Sequence, residues 1–273
     1  MAVSQSNLPT IIELQCEQLP NSNPAHQISL PRSLSRPLFC AITPETIAAI
    51  DPVLSGVPLG YILYNLKDIG PKLSEGAKAT QAIPPTGPLH SEMLVKFNNT
   101  DLEPPTHILA VHSKQQNGLF TLYPVHALVV STGCAHLPLL PDSPAIPPGA
   151  AMPELTLPVV SLSIPSPSMF QPILNYLYMR QNDVILDVLL PIEDNEVDPF
   201  IEMSKKQAEQ FSVKELLINA RKIWGLWANA SALGIFDDHL FTTMEIAWEI
   251  CIGALNISLD KPLDSGVDVP PED

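Results

Sequence analysis

Apolar residues recur at helical spacing soon after the first forty residues of the chain. Thr43 followed by Pro44 is typical of a helix start, because threonine caps the first turn and proline fits the first helical position. A second amphipathic run begins at Leu59 and is expected to end at Gly70-Pro71, where both residues disfavour a helix. The pattern predicts a short helical hairpin followed by a proline-rich linker, and the two together cover residues 38–91.

Alternation of apolar and polar residues replaces helical spacing from residue 92 onward. Residues 92–97 alternate with a period of two, which indicates a strand. Residues 107–112 and 119–123 are two more strand-like runs, and Asn117-Gly118 between them suits a hairpin turn. The further elements expected here are a short helix over 125–137 and a strand over 157–164.

The last third of the chain is predicted to be helical. Ser166 followed by Pro167 is the clearest helix start, and it opens a run whose apolar face reaches Tyr178. The other helices are expected over 184–190, 213–233 and 238–256. Gly234 is expected to end the helix over 213–233, and Asp237 or Asp238 to cap the last one. The acidic residues 193–209 are interpreted as a solvated excursion between helices.

Two tryptophans lie on apolar stripes of the two longest predicted helices. Trp224 shares a stripe with Leu217 and Ala220, and Trp248 shares one with Met244 and Cys251. Antiparallel packing of these helices would bring the stripes together, so both tryptophans are expected in the core between them. A tryptophan-lined pocket that includes Trp227 is the less favoured alternative.

The ends of the chain differ in composition from its middle. Residues 1–37 contain five prolines among Ser, Asn and Gln, which predicts a mostly disordered arm. Residues 258–273 form an acidic, proline-containing segment, which is predicted to be a disordered tail. The expected organisation is therefore this arm, the hairpin and linker of 38–91, one folded domain over 92–257, and the tail.

The net charge of the chain argues against some classes of binding partner. The formal net charge is −15, from 14 basic and 29 acidic residues, and this repels phosphate backbones and anionic lipids. The chain has no uninterrupted apolar stretch near 18 residues and no basic leader before an apolar run. We therefore expect no direct binding of nucleic acid or membrane, and a nuclear or cytoplasmic protein that is not secreted.

Candidate chemistry is sparse. Cys134 with His126 could share a helix face as nucleophile and base, but no acid lies nearby to orient the ring, so structural roles are favoured for both. His107 and His112 are five residues apart on a predicted strand and point to opposite faces, which weakens a shared zinc site. The four cysteines form no C-x-x-C pair and are expected to be free thiols. No catalytic residue, metal or cofactor is predicted.

The order of elements resembles that of the BTB/POZ fold. A hairpin is followed directly by a helix, then a further strand and a group of helices. The stretch Leu122 to Ser131, with His126 at the helix start, and the run Phe170 to Tyr178, which ends in Leu-Tyr, are similar to stretches of that fold. The resemblance implies an α+β interaction domain, a small sheet (hairpin plus a further strand) packed with a helical bundle and preceded by a short helical N-terminal region. Ala127 and Arg180 depart from the usual pattern, which leaves open whether the domain dimerises in the BTB manner and whether it recruits a cullin ligase.

A closer resemblance covers most of the chain. Pro52 to Ile62, Leu122 to Val129 with Cys134 to Pro138, and Leu157 to Val160 with Ser166-Pro167 are similar to clampless proteins of basidiomycete fungi. The resemblance implies a non-enzymatic regulator of sexual development. Such a protein acts downstream of mating type, in clamp cell formation and in nuclear division of the dikaryon. The partners implied are other proteins, including transcription regulators of the mating pathway, and a homodimer stays open.

An enzyme of unrecognised fold is the alternative, with the region of His126 and Cys134 as its weak candidate site. The two hypotheses differ in what a structure should contain. An enzyme needs a pocket in which histidine, cysteine and acid side chains converge, whereas an adaptor needs only a binding surface.

Overall fold

The chain divides into two compact units in a computed structural model that describes residues 11–14, 28–82, 89–97, 99, 101–114, 119–143, 154–190 and 200–260. The sheet unit comprises Arg36–Pro191 and Gly225–Thr243. The helical unit comprises Met1–Ser35, Ile192–Trp224 and Met244–Asp273. The helices Val213–Leu233 and Asp238–Asp260 each contribute residues to both units.

A five-stranded mixed sheet forms the centre of the sheet unit. Its strands are β3 (Gln81–Ala82), β4 (Glu92–Lys96), β5 (His107–His112), β6 (Thr121–Val125) and β7 (Glu154–Ser163), in the spatial order β3-β4-β7-β5-β6. Neighbouring strands are antiparallel except β5 and β7, which run parallel with Ile108 opposite Val159. The predicted strands over 92–97, 107–112, 119–123 and 157–164 are confirmed, while Asn117-Gly118 lies outside the described residues.

The sheet curves around an apolar core. Although β3 and β6 lie at opposite ends of the strand order, they contact each other. The residues buried in this core are Met93, Val95, Phe97, Ile108, Leu155 and Leu157. Five consecutive residues of β5 are buried, because a strand between two neighbours with both faces covered needs no polar face.

Over the residues that the structure describes, five helices complete the sheet unit together with parts of Val213–Leu233 and Asp238–Asp260. They are α1 (Pro44–Ile50), α2 (Leu59–Ala79), α3 (Ala127–Ser131), α4 (Phe170–Met179) and α5 (Asp183–Leu189). Helix α2 packs on α4, and α1 contacts α3. Residues 38–79, which the sequence separates from the following domain, therefore lie in the same unit as the sheet.

Helix α2 continues through the predicted stop at Gly70-Pro71, so that prediction is wrong. Gly70 faces the backbone carbonyl of Tyr178 so closely that a side-chain carbon at this position would overlap it, and Gly76 faces the carbonyl of Glu103 in the same way. Close packing on both sides of Pro71 holds the helix together despite the lost backbone hydrogen bond.

Two predicted helices differ in detail from those in the structure. Helix α3 spans five residues instead of the predicted 125–137, because the chain turns after Thr132 and the N–H of His136 donates to the carbonyl of Leu233 (3.0 Å). Ser166 precedes a 3₁₀ turn before α4 but makes no capping bond through its side chain. Its backbone is held instead by the amide of Asn229, which accepts from its N–H at 2.8 Å.

Among the residues that the structure describes, the helical unit contains a strand pair and three helices. β1 (Ile11–Leu14) pairs antiparallel with β2 (Ile28–Pro31), so the predicted disorder of residues 1–37 is wrong for these strands. Part of the segment 193–209, predicted to be a solvated excursion, is helix α6 (Phe200–Gln210). This helix buries Ser204, Gln207 and Ala208. Residues 193–199 lie outside the described part. The unit also holds most of α7 (Val213–Leu233) and α8 (Asp238–Asp260).

The ends of α7 and α8 follow local sequence. Gly234 has a φ of 63° and ends α7, as predicted. Asp237 caps α8, because its side chain accepts the N–H of His239 at 2.9 Å. Helix α8 extends to Asp260, so the predicted tail is helical over its first three residues, and residues 261–273 lie outside the described part.

Trp248 and Trp224 have different environments. Trp248 is fully buried, and its indole N–H donates to the carbonyl of Pro31 at 3.0 Å, which confirms its core position. Trp224 is 44% exposed, so its predicted core position is wrong. The buried face of α7 runs through Leu216, Ala220 and Ile223, and it leaves Trp224 at the flank.

Residues Asp238–Leu259 of α8 are long and apolar enough to cross a membrane by length and composition, with a mean hydropathy of 1.3. Within the helical unit this helix is a packed core element. The Cys251 thiol donates to the carbonyl of Leu216 (3.4 Å), and the hydroxyl of Ser204 contacts the carbonyl of Ile250 (3.2 Å). Met244, Trp248 and Leu255 of this helix are also buried, and their burial accounts for its apolar composition without a membrane.

Candidate functional site

A cavity of about 510 Å³ opens in the sheet unit between the N-terminal helices and the start of the sheet. This size lies within the range of about 300–1,000 Å³ that is usual for ligand sites. Four groups of residues line it, and these are Ala49 to Pro52 at the end of α1, Ile69 and Leu73 of α2, Glu103, Pro104, Thr106 and His107 with His126 to Leu128, and Leu140 to Ser143. The predicted helical hairpin therefore forms one wall of the cavity.

His107 lies at the cavity wall with both ring nitrogens occupied. Nε2 lies 2.8 Å from the carbonyl oxygen of Pro141, which can only accept, so Nε2 carries the proton. Nδ1 lies 2.9 Å from the hydroxyl oxygen of Thr106 and accepts a hydrogen bond from that hydroxyl. Burial lowers the pKa of His107, and the bond to Pro141 opposes this shift only in part.

His126 starts α3 and is held in the same way. Nδ1 accepts from the hydroxyl of Tyr178 at 2.9 Å, and Nε2 donates to the carbonyl of Glu103 at 3.3 Å. The Tyr178 oxygen also accepts the backbone N–H of His126 at 3.0 Å, so one hydroxyl serves both groups. Burial lowers the pKa of His126 from 6.5 to about 4, against the opposing effect of bonds to backbone carbonyls. The ring is neutral at physiological pH.

These bonds determine what the two histidines can do chemically. A neutral imidazole has one nitrogen that can accept a proton or bind a metal. In both rings that nitrogen is Nδ1. It already accepts a hydrogen bond from a hydroxyl group, of Thr106 in one ring and of Tyr178 in the other. The rings therefore shape the cavity wall instead of presenting a base to its interior.

Cys134 does not join His126. It is buried, and it is not among the residues that line the cavity. Burial raises the pKa of its thiol to about 12, although the nearby Arg180 guanidinium favours the thiolate. The thiol is therefore protonated and unreactive, and the pairing considered from the sequence is not formed. Cys40 and Cys251 are also free thiols, while Cys16 lies outside the described residues.

His112, the second histidine considered for zinc, and His136 lie apart from the cavity. Nε2 of His112 contacts the hydroxyl of Ser161 at 3.0 Å, and Nδ1 of His136 contacts the carbonyl of Ala232 at 3.3 Å. Over the residues for which the structure gives positions, no three His, Cys, Asp or Glu side chains gather closely enough to hold a metal ion.

Acidic residues supply the charged part of the cavity lining. Asp51, Glu103 and Asp142 line it, whereas no lysine or arginine does. Glu103 and Asp142 are exposed and Asp51 is half-buried, so the three carboxylates reach solvent. Half-buried apolar side chains, such as Leu128 and Leu140, also line the cavity.

Sequence reasoning identified His126 but missed the residues that complete this site. Thr106 and Pro141 fix His107, and Tyr178 fixes His126 from a distance of 52 positions along the chain. Tyr178 was visible only as the end of an apolar helix face, and no local pattern marks its hydroxyl as the partner of a histidine.

Comparisons with known proteins identify two domains. Residues 37–165 match the family described as Clampless protein 1 N-terminal domain, and residues 183–271 match the Clampless protein 1 C-terminal domain. No curated protein and no solved structure matches the chain. Because the two domain families occur in their expected order and together span most of the sequence, the chain belongs to the Clampless protein 1 family.

Proposed function

We propose that the chain is a non-enzymatic interaction adaptor in fungal sexual development. Its role would lie in mating-type-dependent clamp cell formation and in nuclear division of the dikaryon. Both matched domains belong to a family named for the loss of clamps, which associates the chain with the regulation of clamp formation. The partners proposed are other proteins, including transcription regulators of the mating pathway, met in the nucleus or cytoplasm.

The sheet unit supports an interaction fold of the BTB/POZ-like kind. The hairpin β5–β6 is followed directly by α3, then by β7 and the helices α4 and α5. This is the element order from which the resemblance was drawn. The additional strands β3 and β4 and the helices α1 and α2 extend that arrangement at its N-terminal side.

One observation carries the choice of an adaptor over an enzyme. The cavity has the size of a binding site, yet each histidine in its wall uses its proton-accepting nitrogen for a hydroxyl of the same unit. A general base needs that nitrogen to face the substrate. What the cavity offers instead is a lining of apolar and acidic residues, which suits a partner's side chains.

Ile69 provides a direct test of the cavity as a docking surface. It lines the cavity but is 49% exposed, so Ile69→Asp adds a charge to the wall with little effect on the core. A strain carrying Ile69→Asp as its only copy is expected to lose clamp cells after mating, while the purified variant melts within a few degrees of the parent.

Leu139→Asp is the matched control. Leu139 is 90% exposed and does not line the cavity, so the same charge is added outside it. Clamp formation is expected to persist in this strain. Normal clamps in the Ile69→Asp strain, with the variant present at parental level, would overturn the role of the cavity.

A further inference from the structure

The charges that line the cavity are of one sign, and no partner neutralises them. Asp51, Glu103 and Asp142 contribute three carboxylates, and none of them forms an ion pair with any residue that the structure describes. Asp51 uses one oxygen to accept the N–H of Val53 (3.0 Å), which fixes its orientation without removing its charge. Three unpaired carboxylates on residues that line one cavity favour a cationic ligand.

Apolar surface accompanies this charge. Ile50, Leu128 and Leu140 line the cavity and are half-buried, so part of each side chain is left for contact with a ligand. A small inorganic cation would leave that surface in water. A ligand that covers it and also meets the carboxylates must carry apolar and cationic groups side by side, as in a peptide that combines leucine or phenylalanine with lysine or arginine.

We propose that the cavity binds a segment of a partner protein in which an apolar anchor side chain is flanked by lysine or arginine. This inference rests on the proposed adaptor function, because it names the chemistry of the adaptor's partner. The net charge of −15 supports it further, since the field of the whole chain draws cationic segments toward the protein and repels acidic ones.

Three labelled peptides of about twelve residues test the preference with the full chain. They share the same leucine and phenylalanine anchors, and the flanking residues are lysine, glutamine or glutamate. Fluorescence anisotropy is expected to show the tightest binding for the lysine peptide and the weakest for the glutamate peptide. The difference should shrink at higher salt, because exposed charges are screened over about 8 Å at physiological ionic strength.

Removal of the three carboxylates tests where the preference arises. The triple variant Asp51→Asn, Glu103→Gln, Asp142→Asn is expected to bind the lysine peptide about tenfold more weakly, since each exposed ion pair contributes roughly twofold to threefold. Asparagine at position 51 keeps an oxygen for the N–H of Val53.

The control triple variant is Asp68→Asn, Glu75→Gln, Glu92→Gln. These acids are exposed in the same unit and do not line the cavity, so the net charge changes equally. Its affinity for the lysine peptide should stay within about twofold of the parent. Equal weakening by both triple variants would overturn the proposal, because attraction would then follow net charge alone.

Other outcomes separate this inference from the proposed function. Equal binding of the three peptides, or binding of none of them at about 1 mM protein, would overturn the cationic preference. If Ile69→Asp still abolishes clamp cells in that case, the cavity remains a docking site and only the partner chemistry is wrong. If Ile69→Asp has no effect on clamps but the lysine peptide binds as expected, the proposed function fails and the binding preference stands.

Discussion

Trp248 is the residue whose replacement tests the helical unit most sharply. Its indole ring is fully buried in α8, and its N–H donates to the carbonyl of Pro31 at the end of β2. Trp248→Ala removes the largest buried side chain of the described core and leaves that carbonyl without its donor. Trp224→Ala is the matched control, because the same side chain is removed from a position that is 44% exposed.

The expected magnitudes follow from burial. Replacing a buried tryptophan with alanine costs about 3–5 kcal/mol of the free energy of unfolding, through lost transfer energy and the cavity that remains. The same change at Trp224 should cost about 1 kcal/mol, since much of its surface is already in contact with water. Trp248→Phe keeps most of the ring volume but loses the N–H donor, and it should cost about 1–2 kcal/mol.

Guanidinium titrations followed by circular dichroism measure these differences without relying on the fluorescence of the replaced residue. The expected order of stability is the parent, then Trp224→Ala and Trp248→Phe, and Trp248→Ala last. In thermal melts the midpoint of Trp248→Ala should fall by about 10 °C. Equal losses for the two alanine variants, or a loss below about 1 kcal/mol for Trp248→Ala, would refute the assignment of Trp248 to the core.

Gly70→Ala should lower the free energy of unfolding by about 2 kcal/mol in urea titrations, because the added carbon would overlap the carbonyl of Tyr178, whereas Gly60→Ala has open space around it and should raise stability slightly. Tyr178→Phe should cost about 2 kcal/mol because two groups of His126 lose their partner, while a similar loss for the exposed control Tyr64→Phe would contradict this explanation. Burial lowers the pKa of His126 from 6.5 to about 4, so the unfolded chain binds this proton at higher pH than the folded chain. The contribution of this pKa difference to the free energy of unfolding is complete above about pH 6.5, and up to roughly 3 kcal/mol of it is lost as the pH falls toward 4. Imidazole nitrogen NMR should show His126 neutral at pH 5, and a protonated ring there would contradict the buried site.

Elements defined by local sequence could be predicted closely. Helix α7 spans the predicted Val213–Leu233, because its apolar spacing and the glycine at 234 act over a few residues. The course of α2 through Pro71 could not be predicted, since it depends on the close approach of Gly70 to Tyr178, more than a hundred residues away. A proline is a local cue, and here packing outweighs it.

The cavity was beyond prediction for a similar reason. Its wall combines the end of α1, one face of α2 and the segment around Pro141, and the sequence contains no pattern that joins them. Sequence analysis did assign His126 a structural role at a helix start, and the hydrogen bond to Tyr178 explains how the ring is held. The exposure of Trp224 was missed because several helix faces of α7 are apolar enough to form a core stripe.

The position of β7 in the sheet has a consequence for biosynthesis. This strand pairs with β4 on one side and with β5 on the other, yet it follows both of them in the chain. While the protein is being made, β4 and the hairpin β5–β6 therefore leave the ribosome with unpaired edges, and they cannot join until residues 154–163 have been synthesised. Pairing of this kind over long sequence distances is slow. The nascent chain thus passes through a period in which two incomplete sheet fragments can pair with other chains, and a chaperone that shields strand edges would act in that interval.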